Sequence, residues 1–209
     1  MKGLFVTGTD TGIGKTILGA LVVAELRRRG TGAAPMKPVQ TGCDGGVPDL
    51  DYALSMAALQ ADPEAYANMC PYRFEPACSP HLAAEMAGTE IDIAEMVVAA
   101  RALRSQFGFV VAEGAGGVLV PLNARETMLD LMQALQYPVL VAARPGLGTI
   151  NHTLLTLRAL RADGLDIAGV VFVASEPGQP GFIEEDNLAT VEKFGGAPVL
   201  GTLPHTAQL

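Results

Sequence analysis

Gly8-Thr-Asp-Thr-Gly-Ile-Gly-Lys-Thr16 is the stretch on which the fold turns. Apolar Leu4-Phe5-Val6 precede it as a short strand. Lys15–Arg29 follow, with Leu18, Leu21, Val22 and Leu26 at three- and four-residue steps, the spacing of a helix with one apolar face. A glycine-rich loop between strand and helix is the context that phosphate binding requires. Its backbone N–H groups and the free helix N-terminus stabilise phosphate oxygens. Lys15 then reaches the β- and γ-phosphates, and the Thr16 hydroxyl is a candidate Mg²⁺ ligand. The spacing departs from G-x-x-x-x-G-K-[ST] at one point. Counting back from Gly14, the first glycine position holds Thr9, and Gly8 stands one residue early. A turn that only linked strand to helix would leave the Lys15-Thr16 pair unexplained.

Outward from the loop the alternation continues. Strands are predicted over Gly32–Met36, Phe109–Ala112, Val139–Ala143, Gly169–Ala174 and Pro198–Leu200. Helices are predicted over Leu50–Gln60, Ile91–Gln106, Glu126–Leu135, Asn151–Arg161 and Glu184–Phe194. Arg27, Arg28 and Arg29 sit where a helix dipole prefers cations, and Gly30 stops that helix. Ala61–Thr89 carries Pro63, Pro71, Pro76 and Pro80 and reads as loop with short helical pieces. Strands apolar throughout, alternating with helices, imply an α/β fold: a mostly parallel sheet covered by helices on both faces. Right-handed crossovers put ligands at the carboxyl ends of the strands. Without repeat, linker or low-complexity tract, residues 1–209 read as a single domain.

Composition narrows the function. Of 209 residues, 49% are hydrophobic and 17% charged, enough for a sizeable core, and the net charge is −8. That balance argues against a nucleic-acid-binding surface and against adhesion to an anionic membrane. Apolar stretches such as Pro138–Ala143 fall far short of the roughly 20 residues of a spanning helix. No basic segment with a following apolar block opens the chain, so no secretory signal is expected. Cys43, Cys70 and Cys78 are odd in number and lack C-x-x-C spacing. A disulfide framework or structural zinc is not expected, and a cytoplasmic location fits.

A phosphate loop needs acidic and cationic partners at the same sheet edge. Glu113 follows the buried run Phe109-Val-Val-Ala112 and is a candidate metal ligand, direct or through water. Gly114, Gly116 and Gly117 let the backbone approach phosphates or substrate closely. Lys37 ends the second strand, where a lysine can neutralise a transferring phosphoryl group or an anionic acceptor. Thr41, four residues on, adds a polar wall. Asp49 and Asp51 follow in a loop, and the pattern by itself does not choose between them as metal ligand.

Several motifs in order then make the chain resemble the ATP-dependent dethiobiotin synthetases of biotin biosynthesis. They are Val6-Thr-Gly-Thr-Asp-Thr11 with Gly14-Lys-Thr16, Lys37-Pro-Val-Gln-Thr-Gly42, Ser79-Pro-His81, Glu113-Gly-Ala-Gly-Gly117, Leu147-Gly-Thr-Ile-Asn-His152 and Leu200-Gly-Thr-Leu-Pro204. The resemblance implies a P-loop NTPase-like domain that works as a homodimer. It implies that CO₂ is joined to 7,8-diaminononanoate and the ureido ring closed through an ATP-phosphorylated carbamate, giving dethiobiotin, ADP and phosphate. By matching position, Lys37 is the catalytic lysine, acting with Lys15 and Thr11. Thr16, Asp51 and Glu113 hold Mg²⁺, the register Asp51-x-Ala-Leu favouring Asp51. ATP is taken by Gly12, Ile13, Gly14, Lys15, Thr16 and Ile17, by Asp51, Glu113, Gly114, Ala115 and Gly116, and around the base by Val173, Ala174, Leu203, Pro204 and His205. Thr11, Lys37, Thr41 and Gly117 meet the diamine or its carbamate. Gly148, Thr149, Ile150 and Asn151 open a helix that binds the distant carboxylate across the dimer interface.

Three features depart from the family pattern. Gly12 stands where many members have glutamate. Val173 stands where many have an asparagine that reads adenine, which predicts weak discrimination among nucleoside triphosphates. The sequence ends at Leu209, soon after Pro204, without the longer tail of other members. The remaining candidates read more plainly. His81 either lines the substrate entrance or is structural, His152 orients its helical turn, and His205 lies near the nucleotide. The cysteines read as small apolar fillers, and Met128 and Met132 as core. The rival function is a partitioning-type P-loop ATPase switch; Asp10, where that class carries an extra lysine, argues against it.

Overall fold

The computed structural model describes residues 2–177 and 181–205. Its centre is a six-stranded sheet in which every neighbouring pair is parallel. Strand β1 (Gly3–Gly8) lies in the middle and is followed by the phosphate loop and helix α1 (Lys15–Arg28). Beside it run β5 (Phe109–Gly117) and β6 (Val139–Ala143). Strand β2 (Ala33–Met36) forms one edge, and β7 (Ile167–Val173) and β8 (Val199–Leu203) complete the other side, in the order β2-β5-β1-β6-β7-β8.

The two-residue period of a strand divides the apolar residues between two cores. Phe5, Val110, Ala112, Val139, Val141 and Phe172 belong to one, with residues of α5 (Ile93–Phe107), α6 (Met128–Leu135), α7 (Thr149–Ala162) and α8 (Phe182–Gly195). Val6, Val111, Leu140, Ala142, Val171 and Val173 belong to the other, beneath Leu18 and Val23 of α1. Burying a side chain such as Leu18 or Val23 stabilises the fold by about 1.5–3 kcal/mol. This double coverage is why the strands read as apolar runs rather than alternating ones.

Ala61–Thr89 is more ordered than its prolines suggested. After α2 (Pro48–Met56), it holds α3 (Pro63–Met69), β4 (Tyr72–Phe74) and α4 (Pro80–Met86). Strand β4 pairs in parallel with β3 (Val39–Thr41) to make a separate two-stranded sheet. Three-residue strands carry no period, so neither was legible as a strand. The prolines start helices instead: Pro48, Pro63 and Pro80 sit in first turns, where a missing N–H costs nothing. Asp62 caps α3 by accepting from the Ala65 N–H at 2.8 Å.

Boundaries moved for identifiable reasons. Helix α2 starts at Pro48 and ends at Met56, short of Gln60, and Ala58 takes a left-handed backbone (φ 45°). Helix α6 starts after Thr127, whose N–H donates to the Asp130 carboxylate at 2.6 Å. Strand β5 continues from Ala112 through the glycines to Gly117 and so carries Glu113 in a paired strand.

Candidate active site

The phosphate loop sets the geometry. Gly12 (φ 70°) and Gly14 (φ 87°) are left-handed, a conformation that favours glycine. Gly14 has a second constraint, because a Cβ there would collide with Val173 Cγ1. No acidic residue occupies the first turn of α1 and no side chain caps it. Its N–H groups and the positive end of the helix dipole are left for an anion.

Loop, α1, β3 and β5 wall a cavity of about 680 Å³, lined by Thr11, Gly12, Ile13, Gly14, Lys15, Thr16, Lys37, Thr41, Glu113, Ala115 and Gly116 among others. Within it a chain of polar contacts crosses the sheet edge. Thr16 Oγ1 donates to Glu113 Oε1 at 2.9 Å, and Lys37 Nζ donates to the same oxygen at 2.7 Å. Lys37 Nζ also pairs with Asp49 Oδ2 at 2.6 Å. Lys37 is 5% exposed and Glu113 8%. Burial by itself would lower the Lys37 ammonium, but the Glu113 and Asp49 carboxylates outweigh it and hold its pKa above the ordinary lysine value. Lys15 has no such partner. Its Nζ donates to the Asp10 carbonyl at 2.7 Å, while burial, followed by the nearby Lys37 charge, lowers its pKa to about 8.

Asp49, not Asp51, faces this cluster, which corrects the preference for Asp51. Both lie in the first turn of α2, and two residues are about 200° of helix apart, so one carboxylate turns inward and the other away. Asp51 accepts from the Val47 N–H at 3.1 Å and from the Tyr66 hydroxyl at 2.7 Å, supporting the start of the helix. Burial, then the hydrogen bond to Asp51, pushes the Tyr66 hydroxyl up to about 12.

Thr16, Glu113 and Asp49 offer hard oxygen donors beside the phosphate loop, the set that suits Mg²⁺. Among the described residues no three His, Cys, Asp or Glu side chains cluster as a metal cage. Mg²⁺ does not need one, since it typically keeps waters and binds through one or two carboxylates plus substrate phosphates.

A second cavity, of about 610 Å³, lies at the carboxyl ends of β7 and β8 and includes Arg144, Ala174, Ser175, Glu176 and Pro204. Ala174 donates its N–H to the Leu203 carbonyl at 3.0 Å, and His205 follows half-buried. Val173 lines neither cavity; its buried side chain packs beneath Gly14. Ile17 and Gly114 are also absent from both walls. Gly114 packs on Phe5, whose Cε1 would be 3.0 Å from a Cβ.

Gly117 opens on a third groove, with Val118, Leu119, Pro121, His152 and Leu155. Gly148, Thr149, Ile150 and Asn151 form the start of α7, outside the walls of the first cavity within one chain. Gln40, Ala77, Cys78, Ser79, Pro80 and Val120 line the first cavity and were not assigned from sequence. Ser79 and Pro80 lay within a recognised motif, and so did Gln40, but nothing in the motif marked them as lining residues. Cys70 is fully buried, and burial raises its thiol to about 12, consistent with an apolar filler.

A family model described as an AAA domain matches residues 2–209. The ATP-dependent dethiobiotin synthetase BioD of Anaeromyxobacter dehalogenans strain 2CP-1 is 49% identical, over 85% of this chain and 78% of its own. Its counterpart from Anaeromyxobacter sp. strain Fw109-5 is 42% identical over 100% of this chain and 92% of its own. That of Bacillus cereus is 35% identical over 99% and 85%. Among solved structures, the MinC:MinD cell division protein complex of Aquifex aeolicus matches with a TM-score of 0.64 at 11% identity, covering 100% of this chain and 84% of that one. A ParA family ATPase from Chlorobium tepidum TLS matches with a TM-score of 0.61 at 12% identity, over 99% and 86%. At such identity the structural likeness concerns the fold alone.

Proposed function

This chain belongs to the family of ATP-dependent dethiobiotin synthetases, and we propose that its first cavity carries out the family's reaction on 7,8-diaminononanoate, CO₂ and ATP. The observation that carries the assignment is the buried Lys37–Glu113–Thr16 chain, with Asp49 on Lys37, set against an open helix N-terminus.

The chemistry follows from charge. One amine and CO₂ form a carbamate. A carbamate oxygen attacks the γ-phosphorus and ADP leaves. The second amine then attacks the carbamoyl carbon, and phosphate departs as the ureido ring closes. Bringing a carbamate against ATP opposes two anions, so the site has to offset their repulsion. The loop N–H groups and Lys15 hold the phosphates. Lys37, kept protonated by its two carboxylates, lies where charge moves between carbamate and γ-phosphoryl group. Thr11 and Thr41, on the same cavity wall, hold the diamine end, and in-line alignment supplies much of the remaining acceleration. Thr16, Glu113 and Asp49 would hold Mg²⁺, which when bound neutralises charge on the β- and γ-phosphates.

The ribose and base occupy the second cavity, beside Ala174, Leu203, Pro204 and His205. The protein works as a homodimer in which the start of α7 from one subunit meets the substrate carboxylate of the other. The exposed Leu119 and Leu155 on the third groove, and the exposed Leu147 just before α7, support that pairing. The free thiols of Cys43, Cys70 and Cys78 suit the cytoplasm. No helix among the described residues is long and apolar enough to cross a membrane. The deciding assay supplies diaminononanoate, bicarbonate and MgATP. Phosphate release that requires both diamine and bicarbonate, with a ureido product by mass, is expected. ATP turnover indifferent to the diamine would point to a switch protein instead.

A further inference from the structure

The phosphate loop carries one acid. Asp10 is the only acidic residue of Gly8–Thr16, and none stands in the first turn of α1. A carboxylate beside a loop that receives phosphates repels them, so it needs both a reason and a counter-charge. The reason lies in the loop itself. Asp10 Oδ1 accepts the Thr11 N–H at 2.7 Å, and the Asp10 carbonyl accepts from Lys15 Nζ at 2.7 Å. Side chain and main chain of this one residue both brace the loop.

The counter-charge comes from 134 positions away: Arg144 Nη2 donates to Asp10 Oδ2 at 3.0 Å. Both side chains are partly exposed, and an ion pair between two freely moving exposed groups ordinarily contributes little. This pair is set by the backbone. Strand β6 runs parallel to β1 with Gly8 opposite Ala142, and the Thr9 N–H extends that ladder by donating to the Ala142 carbonyl at 3.2 Å. Arg144 follows β6 as Asp10 follows β1, so the register of the sheet puts the two side by side. Among the described residues Arg144 is the cation that pairs with the Asp10 carboxylate.

We propose that Arg144 is a positioning residue of the nucleotide site that acts through Asp10: its guanidinium neutralises the one acid of the phosphate loop, so the carboxylate can brace the loop without repelling the triphosphate. The assignment rests on the ATP-binding part of the function proposed above and adds a residue to it. It gives Arg144 a different role from Lys15, whose charge meets the phosphates directly. Removing the Arg144 charge leaves an unpaired carboxylate beside the phosphates. Removing both charges of the pair returns the field at the loop close to its starting value. A cation that touched phosphate would not produce that pattern, because losing its partner could not make good its own loss.

The test titrates MgATP and, separately, magnesium tripolyphosphate into the full chain and into Arg144→Gln, Arg144→Lys, Asp10→Asn and the double variant Asp10→Asn/Arg144→Gln. Asparagine at position 10 keeps an oxygen for the Thr11 N–H and loses only the charge. Arg144→Gln should weaken both ligands by about tenfold, and Arg144→Lys, which keeps the charge, should stay within about threefold of wild type. Asp10→Asn should bind as well as wild type or more tightly, and the double variant should return to within about threefold of it. In about 0.5 M salt the Arg144→Gln deficit should shrink towards about twofold, which a purely structural loss would not do. An Arg144→Gln Kd within about twofold of wild type at low salt would overturn the assignment. A double variant as weak as Arg144→Gln would show that Arg144 touches the ligand or holds the loop by itself, and would overturn it too. Failure of Arg144→Gln to fold, or a wild type that does not bind MgATP, would do the same. The readout is binding alone, so the expected pattern supports the assignment even where diamine-dependent turnover is absent and the proposed reaction falls.

Discussion

The two cavities at the carboxyl edge of the sheet differ in construction. The first is wired: Glu113 Oε1 takes two donors, Lys37 bridges two carboxylates, and Gly14 is held against Val173. The second, of about 610 Å³, is walled by the ends of β7 and β8 and by chain segments whose Ser175, Glu176 and Pro177 are exposed. Phosphoryl transfer depends on charges fixed before the reaction, since reorganising them would raise the barrier. Holding a base and ribose requires only enclosure. Under the proposed function, the rigid polar wiring serves the phosphates and the acceptor.

The largest break of that contrast is Lys37→Ala. Turnover should fall by about 10³-fold while nucleotide Kd stays within about threefold, measured by single-turnover kinetics and direct titration. Equal loss of both would place Lys37 in binding rather than catalysis.

Gly14→Ala comes next, because it strains both the φ of 87° and the Val173 contact. A loss of about 1–3 kcal/mol of stability and of about 100-fold in ATP affinity is expected. Val173→Ala in the same chain should recover part of the stability but not the backbone share, a coupling read from a double-mutant cycle.

Asp49→Asn should lower Mg²⁺-dependent turnover by roughly 10- to 100-fold. Asp51→Asn should leave turnover within about threefold and cost about 1 kcal/mol as helix support, read by denaturant titration. The reverse order would restore Asp51 as the metal ligand.

The pH dependence sharpens the electrostatic half of the comparison. The folded Lys15 pKa, about 8, lies below the ordinary lysine value of 10.5. Between those values the unfolded chain binds more protons, so stability from this group rises with pH across that window. Below about pH 8 both states are protonated and the full penalty of the buried charge remains. Anion binding reverses the shift, so ATP binding near pH 8–9 should take up a proton. Titrations in buffers of different ionisation enthalpy would detect it, with affinity falling by up to about tenfold per pH unit above pH 8. A pH-independent affinity would mean that Lys15 stays charged without ligand.

The smallest effect concerns the second cavity. Val173 presents no amide to a base, so kcat/KM for ATP, CTP and GTP should agree within about tenfold. An ATP preference above about 100-fold would show that the backbone and the Arg144–Glu176 wall read the base unaided.

Much of this site was legible because its signals are local. Gly14, Lys15 and Thr16 sit on a strand–loop–helix unit whose geometry is set over a dozen residues. Glu113 and Lys37 could be placed because each ends a buried apolar run. Gln40 and the choice between Asp49 and Asp51 were not legible. Gln40 lies in a strand too short to show a period, so nothing marked it for the cavity wall. The two aspartates are equivalent in sequence until the start of α2 sets the rotation of the helix. Val173 was read for the amide it lacks, and its contact with Gly14 spans 159 positions in sequence.

The sequence by itself determined the α/β alternation, the phosphate loop and the sheet edge on which that loop opens, because strand period, helix period and glycine torsions act over short spans. Tertiary structure alone decided which acid meets Lys37, and why Lys37 stays charged while Lys15 is driven towards neutrality. Those outcomes depend on distances between groups far apart in the chain and on water excluded around them, and both come into being only when the two layers of helices close on the sheet.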